Sequence, residues 1–161
     1  MRGWVEIGTG VALAIAAEPI HELGHAVAVR LSTGAWPEVG FWAVHPTGHF
    51  ESTAAVLAVL AAGEAAVIGW WGLVYVVARA QPHLRWALIG PTFMAALGLL
   101  NWLAAAILSP IVLGEWGASD AVKFMAVSRL SWILLALVAA TLCSTIAVAT
   151  WRCLASQRAA D

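Results

Sequence analysis

The pentapeptide His21-Glu22-Leu23-Gly24-His25 constrains this chain more than any other feature, because it lies inside an apolar stretch running from about Trp4 to Leu31. Residues four apart share one face of a helix, a turn from each other. That spacing lets both imidazoles reach one metal ion and leaves Glu22 beside them as a general base. An apolar stretch of this length reads as a membrane span. Ionisable groups inside a span are expensive and persist mainly where function requires them. Such a helix needs neighbours that shelter its polar face.

Composition points the same way. The 161 residues are 62% hydrophobic and only 11% charged, and the mean hydropathy is +0.87. Soluble domains carry about 25% charged residues, so the deficit predicts an integral membrane protein. A net charge of -1 offers no basic patch and excludes nucleic acid as a partner. The expected fold class is an all-α polytopic membrane protein with about four transmembrane helices, in one domain over 1–161. The spans are predicted at about Trp4 to Leu31, Ser52 to Ala78, Trp86 to Leu108 and Ser128 to Trp151. Trp4, Trp36, Trp42, Trp86, Trp116, Trp132 and Trp151 fall near the ends of these stretches, as an interfacial aromatic belt requires. The first stretch continues too far, and carries Glu6 too early, to read as a cleaved leader.

Three connections follow. Residues Ser32 to Glu51 are rich in Gly and Pro, with a strand-like run from Val39 to Val44 that predicts a short β-hairpin after the first span. Arg79 to Arg85 reads as a tight polar turn, and Ser109 to Val127 as a Gly-rich loop. Pro19, one turn ahead of His21 and Glu22, predicts a kink that opens a water path beside the motif. Cys143 and Cys153 are too far apart on one helix for a disulfide and read as packing residues.

With four spans, the first and third connections lie on one side of the membrane. The motif near the exit of span one and Asp120 near the entry to span four then approach the same face. Arg2, Arg79, Arg85, Arg152 and Arg158 against Arg30, Lys123 and Arg129 is a count of five to three, which favours cytoplasmic termini.

A catalytic zinc takes three protein ligands and leaves a position for water. His21 and His25 supply two. From the residues alone the third is open among Asp120, His45, His49, Glu51, Glu64 and Glu115. Gly24, without a side chain, allows close approach of a substrate or a second helix. Glu18, one turn before Glu22, faces the same way, either supporting the site or facing a water-filled cleft. Glu64 is unusual within an apolar helix and reads as a partner that orients the site, directly or through water. Asn101 either bonds between helices or orients a substrate backbone. His45 and His49 are loop residues, with metal or substrate contact as their functional reading.

The chain resembles the site-2 protease family of intramembrane zinc metalloproteases, in a small form without a PDZ module. The likeness rests on His21-Glu22-Leu23-Gly24-His25-Ala26, on Ala62-Gly63 in the second span, where the family often has Ala-Gly-Pro, and on an Asp after a third span. It implies His21 and His25 as ligands of one zinc ion, Glu22 as catalytic base and a later Asp, by position Asp120, as third ligand. The chain departs from the pattern where Glu64 stands in place of proline, and where Asn101-Trp102-Leu103 lacks the following prolines and Leu-Asp-Gly. The family places the connection after the motif helix in the cytosol, opposite to the charge count, and we follow the family. The resulting expectation is a zinc metallopeptidase in the plasma or inner membrane of a prokaryote. Its partners are the bilayer and a transmembrane or membrane-proximal protein substrate. The alternatives are a membrane metal-binding or transport protein, and a non-catalytic relative that binds helices.

Overall fold

The computed structural model describes residues 2–40, 44–108 and 119–158, the side chains of 2, 3, 157 and 158 excepted. The described residues form six α-helices: α1 (Arg2–Ile15), α2 (Ala17–Thr33), α3 (Thr53–Ala80), α4 (Ile89–Leu108), α5 (Asp120–Ser128) and α6 (Trp132–Arg158). A two-stranded hairpin, β1 (Glu38–Val39) with β2 (Val44–His45), follows α2, and a 3-10 helix over Pro82–Leu88 leads into α4. The strands are antiparallel, with Glu38 opposite His45 and Val39 opposite Val44.

Among the described residues, three helical segments are long and apolar enough to cross a membrane: Thr53–Ala80, Pro82–Leu108 and Trp132–Ser156. Their outer faces present Leu73, Val76, Phe93, Leu97 and Leu137 to the surroundings. Water penalises such surfaces and lipid does not, so the protein is a membrane protein. Trp4, Trp36, Trp86, Trp132 and Trp151 are exposed, as a belt requires, while Trp42 and Trp116 lie outside the described residues.

The expected first span is the exception. It is divided into α1 and α2 at Ala16, and neither piece alone is long enough to cross. Pro19 is the cause. It has no N–H to give the Ile15 carbonyl, and its ring crowds the preceding turn. The chain keeps Ala16 N–H to Ala12 O at 3.0 Å and Ile20 N–H to Ala16 O at 3.3 Å, but the ladder lapses between them. The ladder is therefore interrupted one turn ahead of the proline, in the stretch where a kink is expected.

Two other expectations are corrected. The polar turn at Arg79 to Arg85 is largely helical: α3 runs to Ala80, and Pro82 opens the 3-10 segment at a position where its missing N–H costs nothing. The loop expected over Ser109 to Val127 ends early, because 120–128 form α5, a helix separate from the α6 span. Asp120 thus begins its own short helix. Residues 109–118 lie outside the described residues, as do 41–43 at the hairpin tip.

Small residues let the helices approach. A Cβ at Gly24 would meet Ala62 O at 2.5 Å and Ala66 Cβ at 2.7 Å, so α2 and α3 touch along their backbones. Of the two uses open for Gly24, this is close approach of a second helix. Gly10 and Gly90 do the same between α1 and α4. Below them Ala17, Val67, Ala95, Leu99 and Ile146 form a core. At the other end Trp71 Nε1 donates to Thr92 Oγ1 and Thr150 Oγ1 at 3.1 and 3.2 Å, tying α3 to α4 and α6. Cys143 and Cys153 are free and sit within the packing of α6.

Candidate metal centre

Helix α2 presents His21 and His25 on one face, and α3 fixes their orientation. His25 Nδ1 lies 2.7 Å from the Val59 carbonyl. A carbonyl only accepts, so Nδ1 carries the proton and Nε2 presents its lone pair to the site. One turn along α3, Gly63 packs its Cα against the imidazoles, and a Cβ there would collide with Nε2 of both. Val59 and Gly63 together form a cradle that a larger residue at 63 would fill.

Asp120 completes the group from α5. Its Oδ2 is 3.0 Å from His25 Nε2 and 3.9 Å from His21 Nε2, and the two Nε2 atoms are 3.0 Å apart. With the His25 Nε2 lone pair facing the carboxylate, the three atoms need a proton or a cation between them. Tetrahedral zinc with ligand bonds near 2.0–2.1 Å separates its ligand atoms by about 3.3 Å. The three observed separations bracket that value, so the donor set fits one small divalent ion. Among the described residues this is the group of His, Cys, Asp and Glu arranged to hold a metal.

Burial alone would oppose ionisation of Asp120, but the His21 and His25 imidazoles, when they carry the proton toward it, and the Lys123 ammonium outweigh it and hold the carboxyl well below the usual carboxylate range. Its place in the first turn of α5 acts in the same direction, since a helix N-terminus favours an anion. Asn101 Nδ2 donates to Ser119 Oγ at 3.3 Å and so attaches α4 to the residue that precedes Asp120. Of the two roles expected for Asn101, this is the bond between helices.

Glu22 is buried, at 8% exposure. It lines a cavity of about 300 Å3 together with His25, Asp120 and Lys123. It also lines a groove of about 960 Å3 with Glu18, Pro19, Leu23, Phe93 and Met94. Glu22 is the residue common to the two. The groove continues, through Ala14, Ile15 and Phe93, into a second of about 660 Å3 between α1 and α4. Glu18 therefore faces the groove rather than the ligand atoms.

The remaining expected residues divide. Glu64 is buried on α3, with Oε2 against Gly98 and Oε1 without a partner among the described residues. It faces a pocket of about 260 Å3 shared with α4, α5 and α6, and is not in the ligand group. His45, paired with Glu38 at the hairpin, and His49 are exposed and also stand apart from it, as does Glu51. Hairpin pairing turns His45 outward while Val44 and Pro46 line the small cavity. Glu115 lies outside the described residues. Sequence reasoning missed the Val59 carbonyl, the contact of Gly63 with the ligands, and Lys123. Lys123 lies three residues after Asp120, but the sequence reads this stretch as a loop, so the shared helix face emerges only once 120–128 form α5.

The chain matches no protein-family model, no curated protein and no solved structure.

Proposed function

We propose that this protein is an intramembrane zinc metallopeptidase, similar to the site-2 protease family. The observation that carries the reading is the convergence of His21, His25 and Asp120 on one point, with the buried Glu22 between that point and an apolar groove. A storage or transport site has no need of a buried carboxylate that is not a ligand; hydrolysis does.

Zinc held by His21, His25 and Asp120 would act as a Lewis acid on a peptide carbonyl and would acidify water. Glu22 takes a proton from the attacking water and delivers it to the departing amine. Val59 keeps His25 in the tautomer that leaves Nε2 free, and Gly63 leaves the imidazoles room. The substrate is a transmembrane or membrane-proximal segment seated in the groove lined by Glu18, Pro19 and Phe93. Water reaches the site from the smaller cavity, where Asp120 and Lys123 lie.

In this reading α1 and α2 together make a fourth crossing. The reason is that α1 packs against the Pro82–Leu88 turn, whereas α2 carries His25 to Asp120 at the other end of the spans. The site lies about 9 Å inside the end of α3, six residues from Thr53 at 1.5 Å each. The connection after α2 faces the cytosol of a prokaryote.

The test is Glu22→Gln. Measured on a model transmembrane substrate in vesicles, cleavage falls by about 10²–10⁴-fold, while zinc content of the purified protein stays at the native level. His21→Ala and Asp120→Ala lose the metal. Cleavage by Glu22→Gln at the native rate would overturn the assignment of the base, and full zinc occupancy in Asp120→Ala would move the third ligand elsewhere.

A further inference from the structure

Among the described residues, the wall of the small cavity carries one cation that is neither a candidate ligand nor the base. Lys123 lies three residues after Asp120 on α5, on the same face of that helix. It lines the cavity with Glu22, His25 and Asp120, against an otherwise apolar wall that includes Val29, Phe50 and Leu60. Neither groove that leads to Glu22 has a lysine or arginine in its wall. Among the described residues Lys123 forms no ion pair with a carboxylate. Lys123 is exposed, and the ordinary role of an exposed lysine near a membrane surface is to reach the headgroups. That role does not need the side chain to line the cavity beside the base.

When water adds to a peptide carbonyl, an electron pair moves onto the carbonyl oxygen. With the substrate in the groove and its scissile bond at Glu22, where groove and small cavity meet, that oxygen becomes anionic at the cavity mouth, close to two carboxylates, Glu22 and Asp120. A cation on the wall offsets the repulsion as the charge develops. We propose that Lys123 holds the oxygen of the scissile carbonyl as it becomes anionic. The proposal rests on the peptidase reading given above.

The step balances with no further reactant. The water oxygen bonds to the carbonyl carbon and its proton passes to Glu22. The electron pair then returns from oxygen to carbon, the C–N bond breaks, and the proton moves from Glu22 to the amine nitrogen. Lys123 donates a hydrogen bond throughout and keeps its own protons.

The experiment compares wild type, Lys123→Met and Lys123→Arg in detergent, each zinc-loaded and checked for helicity and metal content. The readouts are kcat and KM on a model transmembrane segment, and affinity for a peptide phosphonate that mimics the anionic adduct. Loss of one such donor costs about 10²-fold in kcat. Lys123→Met is expected to show that loss, with KM within twofold, unchanged zinc content and a parallel weakening of the phosphonate. Lys123→Arg recovers much of both. Lys123→Met with native kcat and native phosphonate affinity would overturn the proposal and leave Lys123 a headgroup contact. A zinc-loaded wild type that cleaves nothing is a different result, which removes the peptidase reading and this proposal with it.

Discussion

At Gly63 the backbone of α3 runs against both imidazole Nε2 atoms, so the side chain missing there matters as much to the site as those present. Gly63→Ala tests this. Alanine favours the helix by about 1 kcal/mol over glycine, so the span should hold or gain stability. The added methyl must displace His21 and His25, and overpacking costs about 1–3 kcal/mol. The expected outcome is a zinc affinity lowered about 10- to 100-fold, read by competition with a chelating dye, with helicity by circular dichroism unchanged. His25 shows the complementary case. Its tautomer is set by a main-chain carbonyl, Val59, and a carbonyl is present at every position of a sequence. The histidines, Glu22 and Asp120 were legible as candidates because their chemistry is written in the side chain. The roles of Val59 and Gly63 were not, since neither has a side chain that announces them.

Among the elements, α5 determines whether the centre is complete. It is nine residues long and connects α4 to α6 at one end of the bundle. Its start is held by Asn101 through Ser119, next to the candidate ligand Asp120. A group bonded directly to a ligand typically changes metal affinity about 10- to 100-fold when removed, and Asn101 acts one residue further out, at the low end of that range. Asn101→Ala is therefore expected to weaken zinc binding by about 10-fold, measured by titration, without loss of the α3, α4 and α6 helices. A sequence pattern alone gave a Gly-rich loop here. Short amphipathic helices at a bundle end have too few turns to display a clear period. The interruption of α1 and α2 was legible by contrast, because proline acts through covalent structure and needs no neighbour.

For the molecule as a whole, the arrangement puts the hairpin and α5 at one end and the Pro82–Leu88 turn at the other. Cysteine labelling in a Cys143→Ser, Cys153→Ser background checks this with a membrane-impermeant maleimide on vesicles of known orientation. Thr47→Cys and Ala126→Cys should react from one side, and Gln81→Cys from the other. Trp4→Cys should react from the Gln81 side if α1 and α2 together cross. Reaction of Trp4→Cys from the Thr47 side would reduce the crossings to the three helices that are individually long enough.

What the sequence determined by itself follows from local or additive physics. Hydropathy summed over about 20 residues marks a span, a four-residue spacing puts two histidines on one helix face, and proline breaks a ladder wherever it stands. Tertiary structure decided the company the motif keeps. Asp120 lies 95 positions beyond His25 in the chain but 3.0 Å from it in space. His45, His49 and Glu64 carry equally suitable ligand atoms and stand apart from the group. Spacing along one helix fixes direction on that helix only. Which distant carboxylate faces the imidazoles depends on how closely α2 and α3 approach through Gly24 and Gly63, and on where α4 holds the start of α5.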